Sequence, residues 1–596
     1  MSPASPSHGF ELEGSATRPV IRGRHLVVAC GHYLAALAGM RMRDLGGNAV
    51  DAGVAMACAQ AVLEFQSCGF GGECPILIYS PVTREVVAIN GNTRAPAAAT
   101  IAWFRERGIT LIPGDGFLPA GVPAAPDALI TALDRFGRLA LAEVLAPAIE
   151  LAANGFPMYE GMRERLSGTA DRLRSEWPSS AALLLPGGRL PDVGETWRNP
   201  DLARTFEKLV EAERNARHLG RSRALRAARD RFYRGDIGRD VVAFQRDTVL
   251  RDANGMESNG LLTAEDFAAF ATRVESPVTV NYRGYDVYKC GPWSQGPVFL
   301  QQLTLLEGFD LAALRHNSAD HIHLVVEAAK LAFADRERYY GDPEFAAVPL
   351  RGLLSKAYAA ERRALIDPRR ASLELQPGNP YPHEGREREP DLRPLRGRAG
   401  DAGTTGTRAI DADGTMFSAT PSGGWFYASP VIPGLGFCLG TRCQTFWLDP
   451  PDHPNALRPR KQPRTTLTPS LVLREGRPRM VFGTPGVDNQ DQWTLQFFLS
   501  VIDFGLDLQD AIDAPAFHST HFPGSFYPKA AVPGELVMEA RIPPEVREEL
   551  QQRGHVVHAV PGWSLNFTTA VAIDPDRGLI EGAASSRGER NYALGW

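Results

Sequence analysis

Cysteine is scarce in this chain: seven residues in 596 (Cys30, Cys58, Cys68, Cys74, Cys290, Cys438, Cys443), odd in number and scattered. That usage excludes a secreted disulfide scaffold and suits a reducing compartment, and Cys68 and Cys74 stand too far apart for a Cys-x-x-Cys redox motif. Residues 1–24 lack any apolar core, so this polar leader is expected to be neither signal peptide nor membrane anchor, and a cytoplasmic location is expected. There is no excess of basic charge either. With 64 Lys+Arg against 69 Asp+Glu and a net charge of −5, the chain carries no footprint for nucleic acid or an anionic membrane surface. Phosphate-loop and dinucleotide fingerprints are absent, and Ser294 in Ser-Gln-Gly lacks the full Gly-x-Ser-x-Gly elbow. No cofactor is expected. Nor is a metal: His323 and Glu327 share a helix face near His321, but no third ligand is evident, which favours a structural histidine pair.

What remains is an ordinary globular composition, 44% apolar and 22% charged, in a chain long enough for several domains or one large α/β core. A short apolar run at Val27–Cys30 precedes two apolar helices from Tyr33 to Glu64, divided at Gly46-Gly47-Asn48 and both expected to be buried all round. A glycine loop at Ser67–Glu73 and a strand at Pro75–Tyr79 follow. The middle reads as mostly helical, with stretches at Leu141–Ala153, where Pro147 should kink or restart the helix, Ala264–Ala271 and Ala319–Tyr339. Residues 367–401 shift to Pro, Arg, Glu and Gly and read as a flexible linker. Beyond residue 404 strands dominate. Asp413-Gly414 and Glu475-Gly476 mark two hairpins, a helix is expected at Thr494–Ile502, and strands near Val556–Val560, Thr568–Ile573 and Leu579–Ala583. Helices, then strands, then helices again imply a layered α+β sandwich rather than alternating βαβ units.

Gly403-Thr404-Thr405 lies directly after the linker and before a strand. A threonine hydroxyl needs an adjacent base to act as a nucleophile at neutral pH, and a chain break at Gly403-Thr404 would supply one as the α-amine of Thr404. Free α-amines have pKa near 7.7–8.0, so a useful fraction is unprotonated at pH 7.

With these segments placed, the chain resembles the γ-glutamyltranspeptidase family of N-terminal-nucleophile hydrolases across most of its length. The matching stretches are Gly46–Ala52, Gly71-Gly72, Arg94-Ala95-Pro96-Ala97, Tyr282-Arg283-Gly284-Tyr285 with Gly291-Pro292, and Ala334-Asp335-Arg336 with Gly341-Asp342-Pro343. They continue with Thr404-Thr405, Asp411, Asp413-Gly414, Arg464–Pro469, Gly483-Thr484-Pro485-Gly486 and Asp513-Ala514-Pro515. The resemblance implies a four-layer αββα sandwich with a largely helical large-subunit portion. It implies a proenzyme cut between Gly403 and Thr404 into a large fragment, 25–403 after the leader, and a small one, 404–596, which stay associated as a heterodimer, with a dimer of these as the further option. Thr404 would attack a small-molecule amide or γ-glutamyl carbonyl and pass the acyl group to water or an amine. Ser422 would support the nucleophile, and the consecutive amides of Gly486 and Val487 would hold the oxyanion.

The same resemblance places Arg94, Thr465, Thr466, Gln444 and Gly424 at substrate-binding positions, and here the sequence departs from the family pattern. Arg94 abuts Ala95-Pro96 directly, Gln444 replaces a charged aspartate, Gly424 replaces an asparagine, Gly406 replaces a histidine, and Val487 stands where glycine is usual. Losing a bidentate carboxylate clamp undercuts glutamate recognition. The stretches Gly91–Pro96 and Thr420–Trp425 resemble an acylase and small-amide amidohydrolase branch. A cephalosporin-acylase-like activity without glutamyl specificity is therefore the alternative, and a non-catalytic binding module is the alternative of another class. Trp293, Trp425 and Trp447 are candidates to wall an acyl pocket, and His518 and His521 could line it.

Overall fold

In the computed structural model of the protein, residues 16–386 and 403–596 are described. Val27, Ala29, Leu77, Ile410 and Met416 from one sheet meet Leu471, Val481, Val571 and Ile580 from another in a buried apolar seam. Among the described residues each sheet has seven strands. The first runs, in spatial order, Tyr592–Gly595, Leu26–Cys30, Thr407–Asp411, Met416–Ala419, Ile76–Ser80, Glu85–Asn90 and Arg273–Glu275. The second runs Ile21–Gly23, Leu579–Ala584, Thr569–Asp574, Arg477–Gly483, Ser470–Arg474, Tyr285–Lys289 and Val278–Tyr282. All neighbours within them are antiparallel. Both expected hairpins form, across Asp413-Gly414 and Glu475-Gly476. Helix and strand thus share the core, in an α+β fold.

Because side chains alternate along a strand, residues between those of the seam face the other way. Val28, Cys30, Ile76, Ala409 and Phe417 enter a cluster with helices Tyr33–Asp44 and Ala49–Leu63, while Val472, Met480 and Phe482 meet helices Gly296–Leu306, Ala319–Tyr339 and Gln490–Ile502. Helix Ala49–Leu63 is buried along its whole length, as expected. Helix Tyr33–Asp44 is not: Tyr33 and Leu37 are exposed, because one flank of that helix faces outward and carries Arg41 and Arg43. Helix Leu141–Asn154 runs on through Pro147 and so does not restart there. Proline forfeits a single backbone bond there, and burial of Leu141, Val144, Leu145 and Ala148 outweighs the loss.

Of the expected leader and linker, residues 1–15 and 387–401 lie outside the described residues. The first part of the linker is packed rather than free. The Ser372 amide donates to Glu327 Oε2 at 3.2 Å, the Ser372 carbonyl accepts from Lys330 Nζ at 2.8 Å, and the Gly378 amide donates to Asp335 Oδ1 at 2.9 Å. Those partners are buried charges on a distant helix, which local composition does not reveal.

The start of helix Ala49–Leu63 is tied down twice. Asn48 accepts from the amides of Val50 and Asp51, Asp51 returns a bond to the Asn48 amide at 2.8 Å, and Asp411 Oδ2 accepts from the Ala49 amide at 2.8 Å. Asp51 also accepts from the amides of Arg138 and Leu139 at 3.0 Å. Asp51→Ala therefore leaves three buried or half-buried amides without this acceptor, and a destabilisation of about 3 kcal/mol is expected in denaturant titration. An unchanged midpoint would contradict this account.

Candidate active site

The pairing of Thr407 with Ala419 in the first sheet continues outward as an isolated antiparallel bridge between Thr404 and Ser422. A strand bonded on both sides therefore carries Thr404 to a fixed place. With the chain continuous through this point, Thr404 Oγ1 donates to the Gly403 carbonyl oxygen at 2.8 Å and lies 3.3 Å from Ser422 Oγ. Ser422 Oγ donates to the same carbonyl oxygen, also at 2.8 Å. The Gly403 amide donates to Tyr427 Oη at 2.7 Å, so both faces of that residue's peptide chemistry are held. Only glycine fits there: a Cβ would lie 2.4 Å from the Gln66 carbonyl oxygen.

Beneath Thr404, helix Ala49–Leu63 presents Gln60 and, just past its end, Glu64. Thr405 Oγ1 donates to Glu64 Oε2 at 2.9 Å, and Gln60 Nε2 reaches Thr405 Oγ1 at 2.8 Å and the Gly406 carbonyl at 3.2 Å. Burial pushes the Glu64 carboxyl pKa up, against the opposing pull of Arg590, Gln60 and Thr405. On the other side, Ser422 Oγ accepts from Arg442 Nη2 at 2.8 Å, and Arg442 is paired with Glu73 at 3.0 Å.

Gly486, which opens the Gly486-Val487 turn, lines the same cavity as Thr404, and Val487 does not line it. Gly486 has φ +134°, and a Cβ on it would lie 2.3 Å from the Trp493 ring. Val487 adopts φ +45°, the left-handed backbone that glycine favours and branched residues rarely enter. It is held there by its carbonyl, which accepts from Gln490 Nε2 at 3.1 Å and Gln295 Nε2 at 3.4 Å, while Arg336 bonds both Gln295 and Asp488. Among the described residues neither the Gly486 nor the Val487 amide has a hydrogen-bond acceptor.

Thr404 and Gly486 open on one cavity of about 540 Å³, which Gln66, Ser67, Tyr159, Glu160, Trp493, Phe567, Arg587 and Arg590 also line. Arg587 is committed to Glu539 at 3.1 Å. Arg590 Nη1 donates to Ser67 Oγ at 2.9 Å.

The five substrate-binding positions are not on this cavity. Arg94 pairs with Glu344 at 3.3 Å. Gln444 Nε2 donates to the Gly114 carbonyl at 3.0 Å, its Oε1 accepts from the Tyr527 amide at 3.1 Å, and Gly424 packs against Gly69 and Cys438. Thr465 bridges to Ser294, and its carbonyl accepts from the Gln295 amide at 2.9 Å, one residue removed from the Val487 turn; the Thr466 hydroxyl is buried without a partner among the described residues. Trp293, Trp425 and Trp447 are all buried off the cavity, whose tryptophan is Trp493. His518 meets Trp493 edge-on, with ring centroids 5.4 Å apart, and His521 Nδ1 accepts from the Gly534 amide at 2.9 Å.

The histidine pair has a third neighbour that sequence spacing hid. His555 Nε2 lies 2.9 Å from His323 Nδ1, and Glu327 completes a cluster within 4.8 Å, whereas His321 turns away toward His316. His323 Nε2 is engaged by the Asp367 carbonyl at 2.8 Å and Glu327 by Lys330 at 2.7 Å, so the cluster is internally bonded.

The Gamma-glutamyltranspeptidase family profile matches residues 35–595. The chain belongs to the γ-glutamyltranspeptidase family. It is an enzyme of that family's amide-cleaving class. The glutathione hydrolase-like YwrD proenzyme of Bacillus subtilis is 31% identical over 576 residues, 96% of this chain and 98% of that protein. Among solved structures, LmbA2991HD is 43% identical, spans 98% of this chain and 100% of its own, and has a TM-score of 0.92. Cephalosporin acylase from Bacillus halodurans is 29% identical with 99% of each chain covered and a TM-score of 0.82.

Gly486→Ala tests the turn directly. The added methyl displaces Trp493 or the Gly486 backbone, and a fall in kcat of about 10²-fold or more is expected, with the circular dichroism spectrum unchanged. Retained kcat would show that the turn does not face the reacting carbonyl.

Proposed function

We propose that this protein is made as a proenzyme that splits between Gly403 and Thr404, and that the released Thr404 is the nucleophile of an amide-cleaving acyl transfer. The observation that carries the reading is the convergence of Thr404 Oγ1, Ser422 Oγ and the Gly403 carbonyl within 2.8–3.3 Å, with Gly403, Thr404 and Gly486 lining one cavity. In turnover, Thr404 Oγ1 adds to the substrate amide carbon, its α-amine takes the hydroxyl proton and hands it to the leaving amine, and the Gly486 and Val487 amides face the oxyanion. Water or an acceptor amine then releases the acyl group. The two facing sheets with helices on their outer sides support a four-layer αββα sandwich of the N-terminal-nucleophile type, with 25–403 and 404–596 as its two fragments. A cytoplasmic location remains part of the same proposal, resting on the free, buried cysteines.

The donor is a γ-glutamyl or related amide, and an acyl amide without glutamyl specificity is the second reading. The second reading rests on Arg94, occupied by Glu344 away from the cavity, on the uncharged Gln444, and on Trp493 and Phe567 in walls that also carry Glu160, Arg587 and Arg590. The relatives carry both chemistries in their names, glutathione hydrolase and cephalosporin acylase.

Intact mass under denaturing conditions tests the proenzyme reading: wild type should give 1–403 and 404–596, and Thr404→Ala one uncut chain. A whole wild type after incubation would sink it. Once cut, kcat/KM should climb with pH through about 7.7–8.0, the range of a free α-amine, and then level; a flat profile from pH 5 to 9 would rule the amine out as base. A donor panel separates the substrates: γ-glutamyl anilide turnover is expected on the first reading, and turnover of acyl amides without it would select the second.

A further inference from the structure

Arg442 and Glu73 do not line the cavity, yet they are the charged groups joined directly to Ser422. Their side chains are 0% and 1% exposed. Arg442 Nε and Nη2 donate to Glu73 Oε2 at 3.2 and 3.0 Å, and Nη2 goes on to Ser422 Oγ at 2.8 Å. Nη1 is buried with no acceptor among the described residues, and the guanidinium lies 5.0 Å from the Phe526 ring centroid and 5.5 Å from that of Trp425. The pair is held further by backbone: Glu73 and Ser422 exchange amide-to-carbonyl bonds of 2.8 and 3.0 Å, so Glu73 is in register with the residue its partner serves. Burying such a pair costs desolvation that apolar side chains would avoid, which makes a specific task the informative explanation.

The task follows from direction. Arginine can only donate, so its bond to Ser422 Oγ occupies an acceptor site of that hydroxyl and leaves the Ser422 proton free to point elsewhere. That proton points at the Gly403 carbonyl oxygen, 2.8 Å away. Neither Gly486 nor Val487 donates to this oxygen among the described residues. We propose that Arg442, held by Glu73, is a positioning residue for self-cleavage, orienting Ser422 as the oxyanion donor for the Gly403 carbonyl. This site is used once per chain and is separate from the Gly486-Val487 turn used at each turnover. The inference rests on the reading of Thr404 as the self-cleaving nucleophile.

The step balances without a further reactant beyond water. Thr404 Oγ1 adds to the Gly403 carbonyl carbon, and the carbonyl electron pair moves to oxygen, where Ser422 O–H meets it. The C–N bond breaks as the Thr404 nitrogen takes the proton given up by Oγ1, leaving Gly403 as an ester on Thr404 and a free amine. Water hydrolyses the ester to the Gly403 carboxylate and restores the Thr404 hydroxyl. Positive charge behind Ser422 strengthens its donation as the oxyanion forms, and without Arg442 the hydroxyl is free to turn toward Thr404 Oγ1 instead.

The experiment follows cleavage and turnover separately in the full-length chain. Wild type, Arg442→Met, Arg442→Lys and Glu73→Gln are purified fresh, and the uncut fraction is followed by denaturing gel and mass while kcat is expressed per cleaved molecule. Arg442→Met should slow cleavage by about tenfold to hundredfold, below the cost of removing a direct oxyanion donor. Its kcat per cleaved molecule should fall by much less, and Arg442→Lys, which can still donate to Ser422, should recover part of the cleavage rate. If Arg442→Met fails to fold by thermal melting, Glu73→Gln carries the test, with slower cleavage expected because Arg442 is no longer anchored by charge. Cleavage at the wild-type rate in these variants, or equal losses in cleavage and kcat, would overturn the assignment. A wild-type chain that never splits before Thr404 overturns the Thr404 reading and this inference together, whereas a wild type and an Arg442→Met that split equally fast overturn this inference alone.

Discussion

The antiparallel pairing of strand Thr407–Asp411 with Leu26–Cys30 on one side and Met416–Ala419 on the other is the constraint from which the site follows. A strand bonded along both edges cannot slide without exchanging the side chains it sends into the seam, such as Ile410, with those it packs under the helices, such as Ala409. Its beginning therefore has a fixed address. The same strand is tied to helix Ala49–Leu63 at both ends, Asp411 meeting the helix start and Thr407 meeting Gln60 near its finish at 2.5 Å. Strand and helix act as one frame, and Thr404 extends from it into the cavity.

Around that frame the buried charges are arranged to aim groups rather than to add stability. Glu337 sits between Arg336 and Arg464; burial raises its carboxyl pKa, but the two cations outweigh this and hold it below the usual carboxylate range. Arg336 passes that order on to Asp488 and Gln295, and so to Val487. Lys289 and Asp491 form another fully buried pair at 2.8 Å, with Thr468 bonded to the same carboxylate oxygen. Such pairs gain little over apolar packing but fix direction, because each donor has few acceptors within reach.

Much of the framework was legible in the sequence because its signals are local. Gly414 and Gly476 end strands at the hairpins, Asn48 with Asp51 writes a helix start into four residues, and helix Ala319–Tyr339 has the expected bounds. Thr404, Ser422 and Gly486 stood out through motif and order, and the structure places Thr404 and Gly486 on one cavity with Ser422 beside them. The cavity walls were not legible. Arg587 and Arg590 belong to a short charged segment that no motif marks, and Arg442 lies between Thr441 and Cys443 in no recognisable pattern. His555 reaches His323 across 232 positions. Contacts of that span leave no periodicity for a sequence to display.

The order of strands carries a consequence for the cut chain. Strands from before Gly403 and from after Thr404 share both sheets, so among the described residues five strand pairings cross the break: Ile21–Gly23 with Leu579–Ala584, Tyr285–Lys289 with Ser470–Arg474, Leu26–Cys30 with both Thr407–Asp411 and Tyr592–Gly595, and Ile76–Ser80 with Met416–Ala419. Severing the peptide bond at 403–404 removes none of these ladders. The two pieces would then be woven together rather than docked, and parting them would require dismantling both sheets. Dilution, which separates subunits that meet across a surface, would have no purchase on a molecule whose seam runs through the middle of its own hydrogen-bonded fabric.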